Sequence, residues 1–104
     1  MTRFVHPRKE DITLAGVLSA LGDPLRLAIL AKLLERRREH LSCSEAAPCA
    51  EMAKSTLSHH FRVLRDAGLI RTTKRGVENL NSVRCDELNE RFPGLLAMIM
   101  KFHP

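Results

Sequence analysis

The sequence predicts a mainly α-helical domain with one small β-hairpin, and three observations support this fold class. Apolar residues recur at helical spacing in several segments, each bounded by glycine, proline or a capping residue. The stretch Leu69–Thr73 is followed by a turn at Arg75-Gly76 and a return over Leu80–Arg84, which is typical of a hairpin. The chain has 104 residues, the length of a single domain, and we assign residues 1–104 to one domain.

The first two helices are predicted on either side of Gly22. Apolar residues fall at i, i+3, i+4 and i+7 from Asp11 onward, and they are Leu14, Val17, Leu18 and Leu21. We expect Gly22 to end this helix in the left-handed conformation. Asp23-Pro24 begins the second helix, because aspartate caps free amides and proline suits a first turn. Its almost wholly apolar segment Leu25–Leu34 is expected at the centre of the core, and residues 1–10 form a loose polar arm.

The remaining helices are marked by caps and by helix-breaking residues. Ser42 and Glu45 form a capping box, and the helix they begin is short because Pro48 follows soon after. The next helix begins at Lys54 or Ser55 and ends at Gly68, with a buried face that comprises Leu57, Phe61 and Leu64. After Pro93-Gly94, a final helix carries an apolar stripe made of Leu95, Leu96, Ile99 and Phe102.

The positive charge of the chain is concentrated in one segment. There are 17 lysines and arginines against 12 aspartates and glutamates, which gives a net charge of +5. The segment Lys54–Arg84 holds this whole excess. A localised basic surface attracts a polyanion through counterion release, whereas the alternative is a solvated face that only keeps the protein in solution.

Composition and motifs argue against several other classes of protein. Trp and Tyr are absent and only 4 Phe are present, which argues against a stacking platform for single-stranded nucleic acid. No apolar run approaches the roughly 18 residues that span a bilayer, and the N-terminus lacks an apolar signal core, so we expect no membrane partner and a cytoplasmic location. Without a Gly-rich phosphate loop or an activated nucleophile, we expect neither an enzyme nor a cofactor.

The order of the elements predicts a winged helix-turn-helix. A short helix followed by a polar-faced helix matches the DNA-binding pair, and the basic hairpin after it matches a wing. Hydroxyl groups and guanidinium groups on the second helix suit the edges of bases in the major groove, and the wing suits phosphates. The predicted DNA-binding residues are Lys54, Ser55, Thr56, Ser58, His59, Arg62, Arg71, Lys74, Arg75 and Asn79.

Two motifs carry a resemblance to a known family. KSTLSHHFRVLRDAGLI, at Lys54–Ile70, resembles the recognition helix of ArsR-type regulators, and ALGDPLRLAILAKLL, at Ala20–Leu34, resembles their second helix. The resemblance implies a homodimer that sits on an inverted repeat in double-stranded promoter DNA, usually represses, and leaves when an effector of unknown identity arrives. It also implies a dimer interface between the first and last helices, which matches Leu14, Val17, Leu18, Leu95, Leu96, Ile99 and Phe102 here.

Two alternative functions remain at this point. Cys43, Cys49 and Cys85 suit a redox or soft-metal sensor, although their spacing matches no known metal site and the family's Cys-x-Cys motif is absent. Small buried hydrophobic residues are the more common role of free cysteines. A winged-helix module that binds protein is the second alternative, but the outward faces of its helix and wing would then need apolar patches.

Overall fold

The computed structural model describes residues 4–103 and has the predicted fold class. Six α-helices and a three-stranded sheet lie in this part of the chain. Their bounds are α1 Leu14–Leu21, α2 Pro24–Glu35, β1 Leu41–Ser42, α3 Cys43–Ala46, α4 Lys54–Asp66, β2 Ile70–Arg75, β3 Glu78–Val83, α5 Cys85–Arg91 and α6 Leu95–Phe102. A single 3-10 turn, Lys9–Asp11, precedes them.

The predicted capping interactions at α2 and α3 are confirmed. The Asp23 carboxylate accepts hydrogen bonds from the backbone N–H of Leu25 and of Arg26, at 2.8 and 3.3 Å. At α3, the N–H of Ser42 donates to the Glu45 carboxylate at 2.8 Å, and the Ser42 hydroxyl accepts from the N–H of Glu45 at 3.3 Å. Both helices therefore begin where their side chains satisfy otherwise free amides.

Two expectations about α1 were wrong. The helix begins at Leu14 rather than Asp11, because the Thr13 side chain accepts from the N–H of Gly16 and acts as the N-cap. Gly22 has a φ of −70°, so it ends α1 in the right-handed region rather than the left-handed one. A glycine in the left-handed region does follow α4, where Gly68 has a φ of +86°.

The hairpin is confirmed, but the sheet has a third strand that the sequence pattern does not indicate. β2 and β3 pair antiparallel around a turn in which Gly76 has a φ of +63°. β1 contributes only two residues, Leu41 and Ser42, which pair with Asn81 and Leu80 of β3. The order β1-β3-β2 makes β2 an edge strand with one free side. A two-residue strand is too short to produce a period-two pattern.

One hydrophobic core joins the helices to the inner face of the sheet. As predicted, α2 lies at its centre, and five of its twelve residues are buried. The buried face of α4, predicted as Leu57, Phe61 and Leu64, is also confirmed. No single helix among the described residues is long and apolar enough to cross a membrane; α1 and α2 pass that test only as a pair, across a bend of 103°.

The polar arm is not loose in the part that the structure describes. Residues 1–3 lie outside the described range, but residues 4–12 run along the body of the protein, and we call them the N-terminal strap. Ile12 is buried against the end of α4, where a Cβ on Gly68 would come within 2.5 Å of its Cγ1. The expectation failed because the strap is anchored by contacts that hydropathy does not reveal.

Candidate nucleic-acid interface

The outward face of α4 carries the polar side chains that the sequence analysis selected. Because a helix turns by about 100° per residue, the face opposite the buried stripe is left to solvent. Ser55, His59 and Arg62 are exposed on it, Thr56 and Ser58 are exposed beside it, and Lys54 is exposed in the first turn of the helix. α3 packs against α4 at the preceding turn, so the pair has the arrangement of a helix-turn-helix.

Arg62 is exposed on this face and forms an exposed ion pair. Its guanidinium Nε lies 3.8 Å from the Asp66 carboxylate, and its side chain is 73% exposed. An exposed pair at that distance contributes little free energy, so the guanidinium can exchange Asp66 for another acceptor at small cost. Its planar donor fork fits the two acceptor atoms on the edge of a guanine.

Neighbouring histidines on α4 have different environments. His59 is exposed beside Arg62, whereas His60 is buried and its Nδ1 lies 3.3 Å from Nη1 of Arg26. The Nε of Arg26 in turn donates to the carbonyl oxygen of Ala20 at 2.6 Å. His59 therefore belongs to the outward surface, and His60 fixes α4 to the junction of α1 and α2.

The wing presents its basic side chains on two opposite faces. Side chains alternate along a strand, and Ile70 and Thr72 point into the body, so Lys74 continues the face that adjoins α4. Arg71 and Arg75 continue the opposite face. Asn79, which pairs with Lys74 in the register, is half-buried and lines a cavity of about 270 Å³ between the wing and the start of α4.

Two of the segment's arginines are bound inside the protein. The Arg84 side chain is 2% exposed, and it donates to both carboxylate oxygens of Glu87 at 2.8 Å and to the carbonyl oxygen of Pro7 at 2.7 Å. Hydrogen bonding to Arg84, followed by its charge and by the same effects from Arg71, lowers the pKa of Glu87 to about 2. Arg65 donates to the Thr72 hydroxyl at 3.2 Å, and burial lowers its pKa. These two arginines were part of the charge excess but are not free to bind a ligand.

Arg71 has an intermediate position. It was predicted to contact DNA phosphate, and its side chain is about half exposed at the base of the wing. Its Nη2 nevertheless donates to a Glu87 oxygen at 3.2 Å. Arg71 is thus accessible to solvent but already has an internal carboxylate partner, unlike Lys74 and Arg75 at the other end of β2.

A buried amide that the sequence analysis missed ties the three strands together. Asn81 is fully buried in β3; its Oδ1 accepts from the Thr72 hydroxyl of β2 at 2.8 Å, and its Nδ2 donates to the carbonyl oxygen of Leu41 in β1 at 3.2 Å. A fully bonded buried amide specifies one register. The available signal was an asparagine inside a predicted strand, a position that disfavours it.

The cysteines do not form a cluster with other metal-binding side chains. Cys43 and Cys85 are half-buried and Cys49 is exposed, and all three are free thiols. Burial raises the pKa of Cys43 and of Cys85, which favours the less reactive protonated form. Between residues 4 and 103, no group of three or more His, Cys, Asp or Glu residues is arranged to hold a metal ion.

The apolar residues proposed for a dimer interface separate into two groups. Val17, with 0% exposure, and Leu95, Leu96 and Ile99 lie in the chain's own core, so their assignment to an intersubunit surface was wrong. Their helical stripe faces inward because α1 and α6 must first cover α2 and the rest of the core. The exposed apolar residues on α1 and α6 are Leu14, Leu18, Met98, Met100 and Phe102. Met98 and Met100, whose pairing in the sequence also suggests interface filling, flank the buried stripe of α6 on either side.

Comparisons with known proteins agree on one type of protein. A family model described as "Helix-turn-helix domain" matches residues 21–73, just over half of the chain. The uncharacterized HTH-type transcriptional regulator YceK of Bacillus subtilis is 37% identical over 92 residues, which cover 88% of this chain and 91% of YceK. The arsenical resistance operon repressor of Staphylococcus xylosus is 34% identical over 85 residues, covering 74% of each chain.

A solved structure extends the similarity to the fold. The crystal structure of an ArsR family transcriptional regulator superimposes with a TM-score of 0.65 at 28% sequence identity. The match covers 88% of this chain and 97% of that regulator, so it includes the wing as well as the helix-turn-helix.

Proposed function

Because this chain belongs to the ArsR-type family of winged helix-turn-helix transcriptional regulators, we propose that it acts as a homodimeric repressor that reads an inverted repeat in promoter DNA. The family is one of DNA-binding regulators of transcription. The name of the Staphylococcus relative supports repression. We further propose release of the DNA by an effector and, since promoter DNA is the target, a cytoplasmic location.

The outward face of α4 is the single observation that carries this proposal. Its hydroxyls, imidazole and guanidinium are exposed together on a helix that projects from a fixed body. Such a helix fits a major groove about 12 Å wide, while Lys74 on the adjoining wing face reaches the sugar-phosphate backbone. The proposed base-reading residues are Ser55, Thr56, Ser58, His59 and Arg62, and the proposed phosphate contacts are Lys54, Arg71, Lys74 and Arg75 with Asn79 beside them.

A second copy of the chain would bring two such helices to one DNA site. The exposed apolar side chains of α1 and α6 supply the proposed contact. A two-fold axis there would place the two copies of α4 roughly 34 Å apart, which is the spacing of successive major grooves. Leu14, Leu18 and Phe102 remain from the original interface set. A dimer predicts a sedimentation mass of two chains, and a monomer at micromolar concentration contradicts this part of the proposal.

Binding to the gene's own upstream DNA tests the proposal directly. We expect fluorescence anisotropy to show tight binding to that duplex and weaker binding to a scrambled one, with log affinity falling by about 0.9 per phosphate contact per log unit of salt. Arg38→Ala is the matched control, because this exposed base lies in the turn after α2, outside α4 and the wing. Failure to bind any duplex in dilute buffer contradicts the proposed function.

A further inference from the structure

The N-terminal strap connects the recognition helix, the wing and α5. At its start, the Phe4 ring lies 4.4 Å from the guanidinium carbon of Arg65 on α4. At its end, the Lys9 ammonium contacts the Glu90 carboxylate of α5 at 2.9 Å, and the Lys9 carbonyl oxygen accepts from Arg91 at 2.6 Å. Its middle therefore crosses the base of the wing between two ends that are held by α4 and α5.

At the middle of the strap, the His6 side chain accepts a hydrogen bond that a neighbouring strand would otherwise accept from the edge of β2. The backbone N–H of Thr72 on the free edge of β2 donates to Nε2 of His6 at 3.0 Å. One residue along, the Pro7 carbonyl oxygen accepts from the buried Arg84 at the end of β3. The strap thus bonds to Thr72 of β2 and to Arg84, the residue that follows β3, where the wing joins the body.

Thr72 also links this edge to the recognition helix. Its hydroxyl accepts from Arg65 of α4 at 3.2 Å and donates to Asn81 of β3 at 2.8 Å, while its N–H is held by His6. Thr72 and its three partners therefore connect the wing, α4 and the strap at one point. Loss of the His6 contact leaves the edge amide without a protein partner and frees the strap over Arg65.

From this geometry we infer that His6 is a positioning residue for DNA binding, which holds the wing at the angle to α4 that a duplex requires. The inference deepens the proposed function and rests on it. His6 itself need not touch DNA, since its side chain is partly buried under the base of the wing. Its effect passes through the Thr72 amide to both DNA-contacting elements.

Acid specifically disrupts this contact. Nε2 accepts a hydrogen bond only while it is unprotonated, and desolvation, followed by the charges of Arg71, Arg84 and Arg65, lowers the His6 pKa below its ordinary value of 6.5. Docking of the neutral ring is therefore complete above pH 6.5 and is lost as the pH falls from there through the lower pKa. The other charged groups around the ring's cavity are Arg8, Lys9, Glu10, Asp86, Glu87 and Glu90.

The closing experiment compares the wild-type protein with His6→Gln and His6→Ala. Glutamine offers an acceptor at nearly the same position but does not titrate, whereas alanine offers none. Anisotropy with upstream DNA at constant ionic strength is measured at pH 7.5 and in steps from pH 6.5 down to the lowest pH at which circular dichroism shows the fold intact. All other residues are common to the three proteins, so ratios of affinity between variants isolate His6.

We expect wild type and His6→Gln to bind alike at pH 7.5, with His6→Ala weaker by about three- to tenfold, as loss of one hydrogen bond implies. As the pH falls below 6.5, the wild type should approach the level of His6→Ala, while His6→Gln keeps its advantage. A wild-type to His6→Gln ratio that does not change with pH overturns the inference.

Amide hydrogen exchange of the free protein supplies a readout without DNA. Protection of the Thr72 amide should be present at pH 7.5, decline as the pH falls below 6.5, and be retained throughout that range in His6→Gln. If that protection behaves as expected while DNA affinity does not change, His6 is only structural and the inference is wrong, although the proposed function stands. Absence of DNA binding by the wild type at pH 7.5 overturns both.

Discussion

Two groups of basic side chains from the same stretch of sequence have different roles in the structure. The outward group lies on α4 and the outer part of the wing and comprises Lys54, Arg62, Lys74 and Arg75, all exposed. The inward group lies at the base of the wing and comprises Arg65, Arg71 and Arg84, each bonded to an acceptor within the protein. Local excess charge in the sequence is therefore not equivalent to charge on the binding surface.

Acceptors at the base of the wing account for the difference. Glu87 serves both Arg84 and Arg71, and the Thr72 hydroxyl serves Arg65. An arginine that already donates to an acceptor within the protein contributes to the fold and must give up that bond before it can contact a phosphate. A solvated arginine contributes little to the fold and can exchange its counterions for phosphates. Substitutions in the two groups should thus separate stability from DNA binding.

Arg84→Met should produce the largest loss of stability in the inward group. Methionine fills similar space but leaves the Pro7 carbonyl without its donor and Glu87 without its bidentate partner, so we expect the free energy of unfolding to fall by about 2–4 kcal/mol. Urea denaturation followed by circular dichroism measures this loss. Arg75→Ala, at the exposed end of β2, is the control and should change stability by less than about 0.5 kcal/mol. Equal stability of the two variants would contradict the division.

Much of the fold followed from local signals in the sequence. Asp23 and the pair Ser42 and Glu45 are helix starts with a defined hydrogen-bonding mechanism, and both caps formed as expected. The outward face of α4 followed from helical periodicity, since the positions opposite Leu57 and Phe61 must face solvent. These features depend on residues within one or two helical turns of each other.

Features that depend on contacts distant in sequence were not predictable from periodicity. Asn81 is satisfied by Leu41, which is 40 positions away, and His6 by Thr72, which is 66 positions away. Val17 shows the same problem for the site: an apolar stripe reveals that a face is buried but not whether its own core or another subunit covers it. Only the packed structure distinguishes these cases.

Arg62→Ala tests the outward group and should affect DNA binding without loss of stability. Within residues 4–103 its one ion pair is the exposed one with Asp66, so we expect a change in unfolding free energy of less than about 0.5 kcal/mol. Affinity for the specific duplex should fall by about 1–3 kcal/mol, with less effect on a scrambled duplex, because a guanidinium that reads bases carries sequence preference. An equal loss on both duplexes would show that Arg62 binds phosphate only.

The smallest expected effect distinguishes the two ends of β2 by their salt dependence. Lys74 lies on the wing face next to α4, so Lys74→Ala should weaken binding to all duplexes and reduce the slope of log affinity against log salt by about one. Arg71→Ala should reduce that slope by clearly less, because Glu87 already neutralises Arg71 in the free protein and a phosphate must compete with that carboxylate. Anisotropy titrations at four or more salt concentrations resolve the two slopes. If Arg71→Ala lowers the slope as much as Lys74→Ala does, Arg71 breaks its contact with Glu87 and binds a phosphate. Arg71 then belongs to the outward group.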